Sequence, residues 1–248
     1  MSKPVVLVTG SGRRLGRQIL LAFHRHGGFD LVLNYHSSEK DAEYTAEKIR
    51  SEGSRILTVK ADVAKREDVA HMMQLIEKEY ERLDILVNNA AIFTRYKWDE
   101  IDDEAWDKII DINLKGVFLC SQEGARLILK TSGKGKIINV ASLGGLQAWK
   151  EHIHYSASKA GVMSLTRSFA RTLAPDITVN AVAPGTIIIE GEENPEMQHI
   201  DRDKIPLQRY GEPVDISEVV MFLSTGGSYI TGVTIPVDGG RSIDTRLS

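Results

Sequence analysis

Pro4-Val5-Val6-Leu7-Val8-Thr9-Gly10-Ser11-Gly12-Arg13-Arg14-Leu15-Gly16 decides the fold. The unbroken apolar run reads as a strand covered on both faces rather than one alternating between core and solvent. The glycine turn then opens a helical pattern over Leu15–His26. A strand, a glycine turn and a helix N-terminus together form an anion site, because the first helical N–H groups lack partners and carry the positive end of the dipole. Glycines let the backbone approach a phosphate without a Cβ in the way. The spacing of Gly10, Gly12 and Gly16 is one residue longer than the general dinucleotide pattern. Arg14 adds a cation inside the turn.

Outward from this turn, apolar strands alternate with helical stretches. Further strands are expected at Leu31–Tyr35, Ile56–Lys60, Ile85–Asn88, Lys136–Val140, Thr178–Ala183 and Thr234–Val237. Helices are expected at Glu39–Glu52, Arg66–Tyr80, Asp103–Leu129, Tyr155–Leu173 and Val214–Leu223. Regular alternation of this kind implies an α/β, Rossmann-type doubly wound parallel sheet of seven strands with helices on both faces. Nothing in the 248 residues reads as a linker, so one domain over 1–248 is expected. The irregular, charged stretch 186–206 leaves a strand carboxyl end, where ligands sit in such sheets, and is read as a substrate loop.

The bulk chemistry narrows the function. A net charge of −3 offers no basic field for nucleic acid. No apolar run is long enough to span a bilayer, and the chain opens on a strand rather than a basic, apolar leader; a cytoplasmic protein is expected. The single cysteine, Cys120, lies in an apolar run and reads as packing, so neither a disulfide nor a metal site is expected.

Tyr155-Ser-Ala-Ser-Lys159 places a phenol and an ammonium on one helix face. A free phenol has a pKa near ~10, and a neighbouring cation lowers it towards the range useful for proton transfer. Ser142 follows the strand Lys136–Val140, Asn113 lies in Asp111-Ile112-Asn113-Leu114, and Asn88-Asn89-Ala90-Ala91 ends another strand. Asp62 and Pro184-Gly185 follow two more strands. These positions can converge at the carboxyl edge of one sheet. Asp62 also suits the N-cap of the next helix, and the acids Asp99 to Glu104 suit a helix start. His152 and His154 read as loop residues. Trp98, Trp106 and Trp149 are too scattered to predict an aromatic platform.

The ordered set, from Thr9-Gly10 to Val237-Asp238-Gly239-Gly240, resembles the short-chain dehydrogenase/reductase family over nearly the whole chain. The resemblance implies a catalytic tetrad of Asn113, Ser142, Tyr155 and Lys159. Tyr155 would give a proton to a substrate carbonyl, and Ser142 would hold the same oxygen. Lys159 would bind the nicotinamide ribose and depress the Tyr155 pKa, while Asn113 would hold a relay water. Cofactor contacts are implied at Gly10, Ser11, Gly12, Arg13, Arg14, Leu15 and Gly16, at Asp62 and Val63, and at Asn89, Ala90 and Ala91. Tyr155, Lys159, Pro184, Gly185 and Ile188 complete that set, and Asn88 would serve the sheet backbone and the ribose region. Relatives of this kind form dimers or tetramers, so a homo-oligomer is expected.

The second strand ends Tyr35-His36-Ser37-Ser38, with no carboxylate before Glu39. An acid there would hold the ribose 2′-OH and repel a 2′-phosphate. Hydroxyls, His36 and the nearby Arg13 suit the phosphate, so NADP(H) is expected over NAD(H). The substrate is a small molecule. Ser142 suits a ketone or 3-oxoacyl carbonyl, and Ile92-Phe93-Thr94-Arg95 resembles a segment of 3-oxoacyl-carrier-protein reductases. Arg14, Phe93, the Tyr35-His36-x-Ser38 loop and Ile189 resemble pteridine reductases instead. A dihydropterin reductase is the alternative, and a non-catalytic NADPH-binding sensor is a reading of another class. Arg14, Phe93, Ser142, Trp149 and Tyr155 are expected to touch substrate; Arg95 and Lys97 are the exposed cations available to a carrier protein.

Overall fold

The computed structural model describes residues 2–189, 191 and 202–243. Its seven strands are β1 (Val5–Val8), β2 (Asp30–Tyr35), β3 (Ile56–Lys60), β4 (Ile85–Asn88), β5 (Gly135–Val140), β6 (Ile177–Pro184) and β7 (Thr234–Val237). They form one parallel sheet in the order β3-β2-β1-β4-β5-β6-β7. The helices are α1 (Arg14–His26), α2 (Glu39–Ser51), α3 (Arg66–Tyr80), α4 (Asp103–Ile110), α5 (Gly116–Thr131), α6 (Ile153–Leu173) and α7 (Pro213–Thr225).

The opening run behaves as its composition demands. Val5 and Leu7 point into the core shared with α3 and α5, whereas Val6 and Val8 point into the core shared with α1, α2 and α7. All four are fully buried. Each such side chain contributes about 1.5–3 kcal/mol by leaving water, and only a sheet covered on both faces collects that from consecutive residues. The register Val6↔Ile85 sets β1 beside β4. The chain runs outward from β1 to β2 and β3, then crosses back to β4. The crevice above β1 and β4 is therefore the switch point where such sheets bind ligands.

The expected helix Asp103–Leu129 divides. Asp102 caps α4 by accepting from the Ala105 N–H at 2.8 Å. A π-helical turn, Asp111–Lys115, then joins α4 to α5. Such wide turns are rare and occur mostly as single turns inside α-helices, frequently at functional sites. Here Asn113, fully buried, accepts from the Ile92 N–H at 2.8 Å and donates to the Ile92 carbonyl at 2.9 Å. α6 begins at Ile153, two residues earlier than expected. Of the substrate loop 186–206, residues 190 and 192–201 lie outside the described residues.

Candidate active site

The glycine turn is bolted to its neighbours. Thr9 Oγ1 accepts from the N–H groups of Asn89 and Ala90 at 3.0 and 3.1 Å, and Asn89 Nδ2 donates to the Thr9 carbonyl at 3.0 Å. Asn34 on β2, buried, accepts from the Gly10 N–H at 3.1 Å and donates to the Ala61 carbonyl, also at 3.1 Å. Gly10 has φ +62 and lies against Ala90, so a Cβ there would be strained and crowded at once. Ser11 donates its hydroxyl proton to the Val8 carbonyl at 2.7 Å, so the donor it has left for a phosphate is its backbone N–H, itself bonded to the Asn34 carbonyl at 2.8 Å. Arg13 stands at the N-cap of α1 without a side-chain capping bond, and the first turn holds no acid. Arg14 takes φ +55, a left-handed conformation costing a side-chain-bearing residue roughly 1–2 kcal/mol.

Beside this turn, β2 ends in Tyr35, His36, Ser37 and Ser38. His36 Nε2 lies 4.0 Å from Asp62 Oδ2. Asp62 does not cap α3. Its Oδ1 accepts from the Ala64 N–H at 3.0 Å, closing a local turn, and Lys65 stands at the N-cap instead. Val63 is buried and packs beneath Gly116. Asn88 faces the sheet interior, donating to Ser121 Oγ and Asn139 Oδ1, both at 2.9 Å. Gly185 donates to the Val237 carbonyl at 3.0 Å, which ties Pro184-Gly185 to the end of β7, and Ile188 donates to the Gly211 carbonyl at 2.9 Å.

The tetrad residues come together between β5, the turn after it and α6. Ser142 Oγ accepts from the Gly144 N–H at 3.1 Å. That leaves the hydroxyl proton free to be donated, and Ser142 favours the ionised form of the neighbouring Tyr155 phenol. Burial is the larger influence and pushes the Tyr155 phenol up to about 12. Lys159 is 3% exposed, donates to the Val140 carbonyl at 2.8 Å, and is pulled down to about 8 by burial. Its ammonium lies 5.9 Å from the centre of the Tyr155 ring. The expected depression of the Tyr155 pKa by Lys159 is not what governs the phenol: burial raises it, and Ser142 is the influence that opposes. Asn113 has both ends of its side chain engaged with Ile92 and a longer contact to Ser158 Oγ at 3.4 Å. Gly145 presses on α6: a Cβ there would stand 2.7 Å from the Lys159 carbonyl carbon.

Three rings stand around the phenol. Phe93 lies edge-to-face with Tyr155 at 4.7 Å and stacks on His152 at 4.5 Å. Trp149 stacks on Tyr155 at 6.2 Å and meets Phe93 edge-on at 6.3 Å. The loop bearing Phe93 is clasped to the loop before α6. Arg95 pairs with Glu151, Tyr96 N–H donates to the Glu151 carbonyl at 3.0 Å, and Thr94 meets both His152 and His154 at 3.0 Å. Two expectations change here. His154 is not a loop residue but a fully buried member of α6, and His152 stands at that helix's N-cap. Arg95 and Lys97 are paired with Glu151 and Glu100 rather than held out for a carrier. The aromatic cluster went unread, although Trp149, His152 and Tyr155 recur every third residue.

A family model described as enoyl-(acyl carrier protein) reductase matches residues 10–242. The chain is 38% identical over 243 residues to a 3-oxoacyl-(acyl-carrier-protein) reductase of Synechocystis sp., covering 97% of each protein. It is 39% identical over 238 residues to one of Staphylococcus epidermidis, covering 94% of this chain and 97% of that protein. Among solved structures, one described as a short-chain alcohol dehydrogenase candidate from Sinorhizobium meliloti superposes with a TM-score of 0.89 at 33% identity, covering 98% of both chains. A Burkholderia xenovorans structure gives 0.88 at 28% identity, covering 98% of this chain and all of that one.

Proposed function

The chain belongs to the short-chain dehydrogenase/reductase family, an oxidoreductase acting on C=O and CH–OH groups, and we propose that it reduces a 3-oxoacyl thioester or related ketone with NADPH, Tyr155 being the proton donor. One arrangement carries the reading: a buried phenol, pushed up by desolvation, lies against Phe93 and Trp149, with the Ser142 hydroxyl and the Lys159 ammonium at the same site. A protonated phenol is the form needed to donate to a carbonyl oxygen as it gains negative charge. Ser142 donates to the same oxygen and stabilises it. A carboxyl group at Ser142 would suit a pterin ring nitrogen better; the hydroxyl favours a carbonyl.

The residues present fit a dinucleotide phosphate. The first-turn amides of α1 carry no capping side chain, and the turn below them is crowded against any Cβ at Gly10. Arg13, Arg14, Ser37, Ser38 and His36 would hold the phosphates, and Lys159, with a single carbonyl partner, would hold a ribose hydroxyl. When bound, the nicotinamide supplies the hydride. The absence of an acid at positions 36–38 supports NADPH. Equal or better turnover with NADH at the same concentration contradicts this part.

The activity itself is tested by following NADPH oxidation with acetoacetyl thioesters, simple diketones, dihydrobiopterin and folate. Reduction of the thioester or diketone is expected; reduction of the pterins alone assigns the alternative. Exposed Val214, Phe222 and Tyr229 support assembly as a dimer or tetramer, and a monomeric mass by light scattering argues against it. No helix among the described residues is long and apolar enough to cross a membrane, in keeping with a cytoplasmic enzyme.

A further inference from the structure

Arg241 follows β7 in a short helical turn and reaches back into the site. Its Nη1 donates to Thr186 Oγ1 at 2.8 Å, and its guanidinium carbon lies 5.9 Å from the centre of the Trp149 ring. Trp149 is the ring that stacks on Tyr155. The backbone of the turn is held by Gln147, whose amide donates to the Arg241 and Ser242 carbonyls at 3.4 Å.

This cation has no carboxylate at ion-pair distance among the described residues. Asp238, the acid among the described residues whose charge acts on Arg241, spends its two oxygens on the N–H groups of Gly240 and Ser242, at 2.9 and 2.7 Å. Half-burying a guanidinium without an anion is costly, and so is leaving its N–H groups unbonded. Arg241 Nε is buried with no partner, and so is Trp149 Nε1 on the adjoining ring. The bond to Thr186 explains one edge of the guanidinium and neither of the two orphaned donors. Two unsatisfied donors, one of them charged, thus lie on adjoining side chains beside the ring that stacks on Tyr155.

We propose that Arg241 and the Trp149 indole N–H form a subsite for a carboxyl-level oxygen that the substrate carries in addition to the carbonyl being reduced. The inference rests on the reductase reading above. The oxygen belongs either to the carboxylate of a free oxo acid or to the thioester carbonyl of an oxoacyl group. Both present an acceptor to the guanidinium, and a simple ketone presents none. The subsite thereby selects bifunctional carbonyl compounds over plain ketones. It uses a residue from the far end of the chain to do so.

Acetoacetate, an acetoacetyl thioester and 2-pentanone distinguish the cases, assayed with wild type, Arg241→Met, Arg241→Lys and Trp149→Phe. Arg241→Met is expected to lower kcat/KM about 10- to 100-fold for whichever bifunctional substrate the site takes, mainly through KM, and far less for 2-pentanone. Arg241→Lys recovers part of the loss because it keeps the charge, and Trp149→Phe loses about threefold to tenfold, one neutral hydrogen bond's worth. Loss on acetoacetate assigns a carboxylate; loss on the thioester alone assigns a thioester carbonyl. An equal loss on all three substrates overturns the proposal and leaves Arg241 as a staple for Thr186. Direct binding separates the two levels of the argument. If acetoacetate quenches tryptophan fluorescence in wild type but not in Arg241→Met, the subsite stands even where no turnover is seen and the reductase reading fails. If neither acetoacetate nor the thioester binds in an Arg241-dependent way, the subsite fails whatever the turnover.

Discussion

Replacing Lys159 by Met is expected to abolish turnover while changing how stability responds to pH. Lys159 is almost wholly buried, has one carbonyl partner, and is pulled from 10.5 to about 8 by burial. That depression corresponds to about 3 kcal/mol of opposition to the charged side chain in the folded protein at neutral pH. Met fills much the same volume without the charge, but it orphans the Val140 carbonyl at a cost of about 1–3 kcal/mol. At pH 7 the two effects nearly cancel, so the variant is expected to be as stable as wild type or slightly more so. The pH dependence is the sharper readout. Between about pH 8 and 10.5 the unfolded chain still holds the lysine proton and the folded protein has released it. Stability rises with pH where the unfolded state binds more protons. Wild type should therefore gain about 3 kcal/mol over Lys159→Met across that window. Tyr155 acts oppositely: with its pKa raised from 10.0 to about 12, its contribution is lost as pH rises above 10, equally in both proteins. Urea unfolding of both proteins at several pH values between 7.5 and 10.5 yields the difference directly. A difference that stays flat refutes the claim that Lys159 is held against its own charge.

The remaining predictions concern the turn and the tetrad. Arg14→Gly should relieve the left-handed strain and stabilise the protein by about 1 kcal/mol, while raising the KM for NADPH. Thermal unfolding and steady-state kinetics check the two halves, and a fall in stability would show that the Arg14 side chain outweighs its backbone cost. Ser142→Ala should lower kcat about 10²–10³-fold with little change in NADPH affinity. Gly145→Ala should destabilise by about 1–3 kcal/mol and lower kcat, because the new methyl pushes the Ser142 turn off the α6 backbone. A variant that keeps both properties would mean that this contact does not set the tetrad geometry.

The sheet was legible because burial on both faces leaves an unbroken apolar run, as in Val5–Val8, and because turns interrupt it at regular intervals. The tetrad was legible as an ordered set spread over the chain. Four features were not. The π turn at Asp111–Lys115 carries Asn113, which reaches Ile92, twenty-one residues away, and local periodicity carries no trace of such a bond. Asp62 is a residue type suited to capping, yet the N-cap of α3 falls three residues later, at Lys65, and the carboxylate closes its own turn. Spacing of Tyr155 and Lys159 implies a lowered phenol pKa, but the sequence does not say how much water each group loses, and that loss decides the direction. Arg241 came to the site only through the closing of β7 onto β6, which sets Gly185 beside Asp238.

The central claim is that the Tyr155 phenol delivers the proton while the pocket around it binds independently. Tyr155→Phe keeps the ring against Phe93 and Trp149 and removes only the hydroxyl. Its NADPH affinity, by fluorescence titration, should match wild type, and NADPH oxidation with an acetoacetyl thioester should fall at least about 10²-fold. Turnover within a few fold of wild type in a variant that binds NADPH normally would contradict the account.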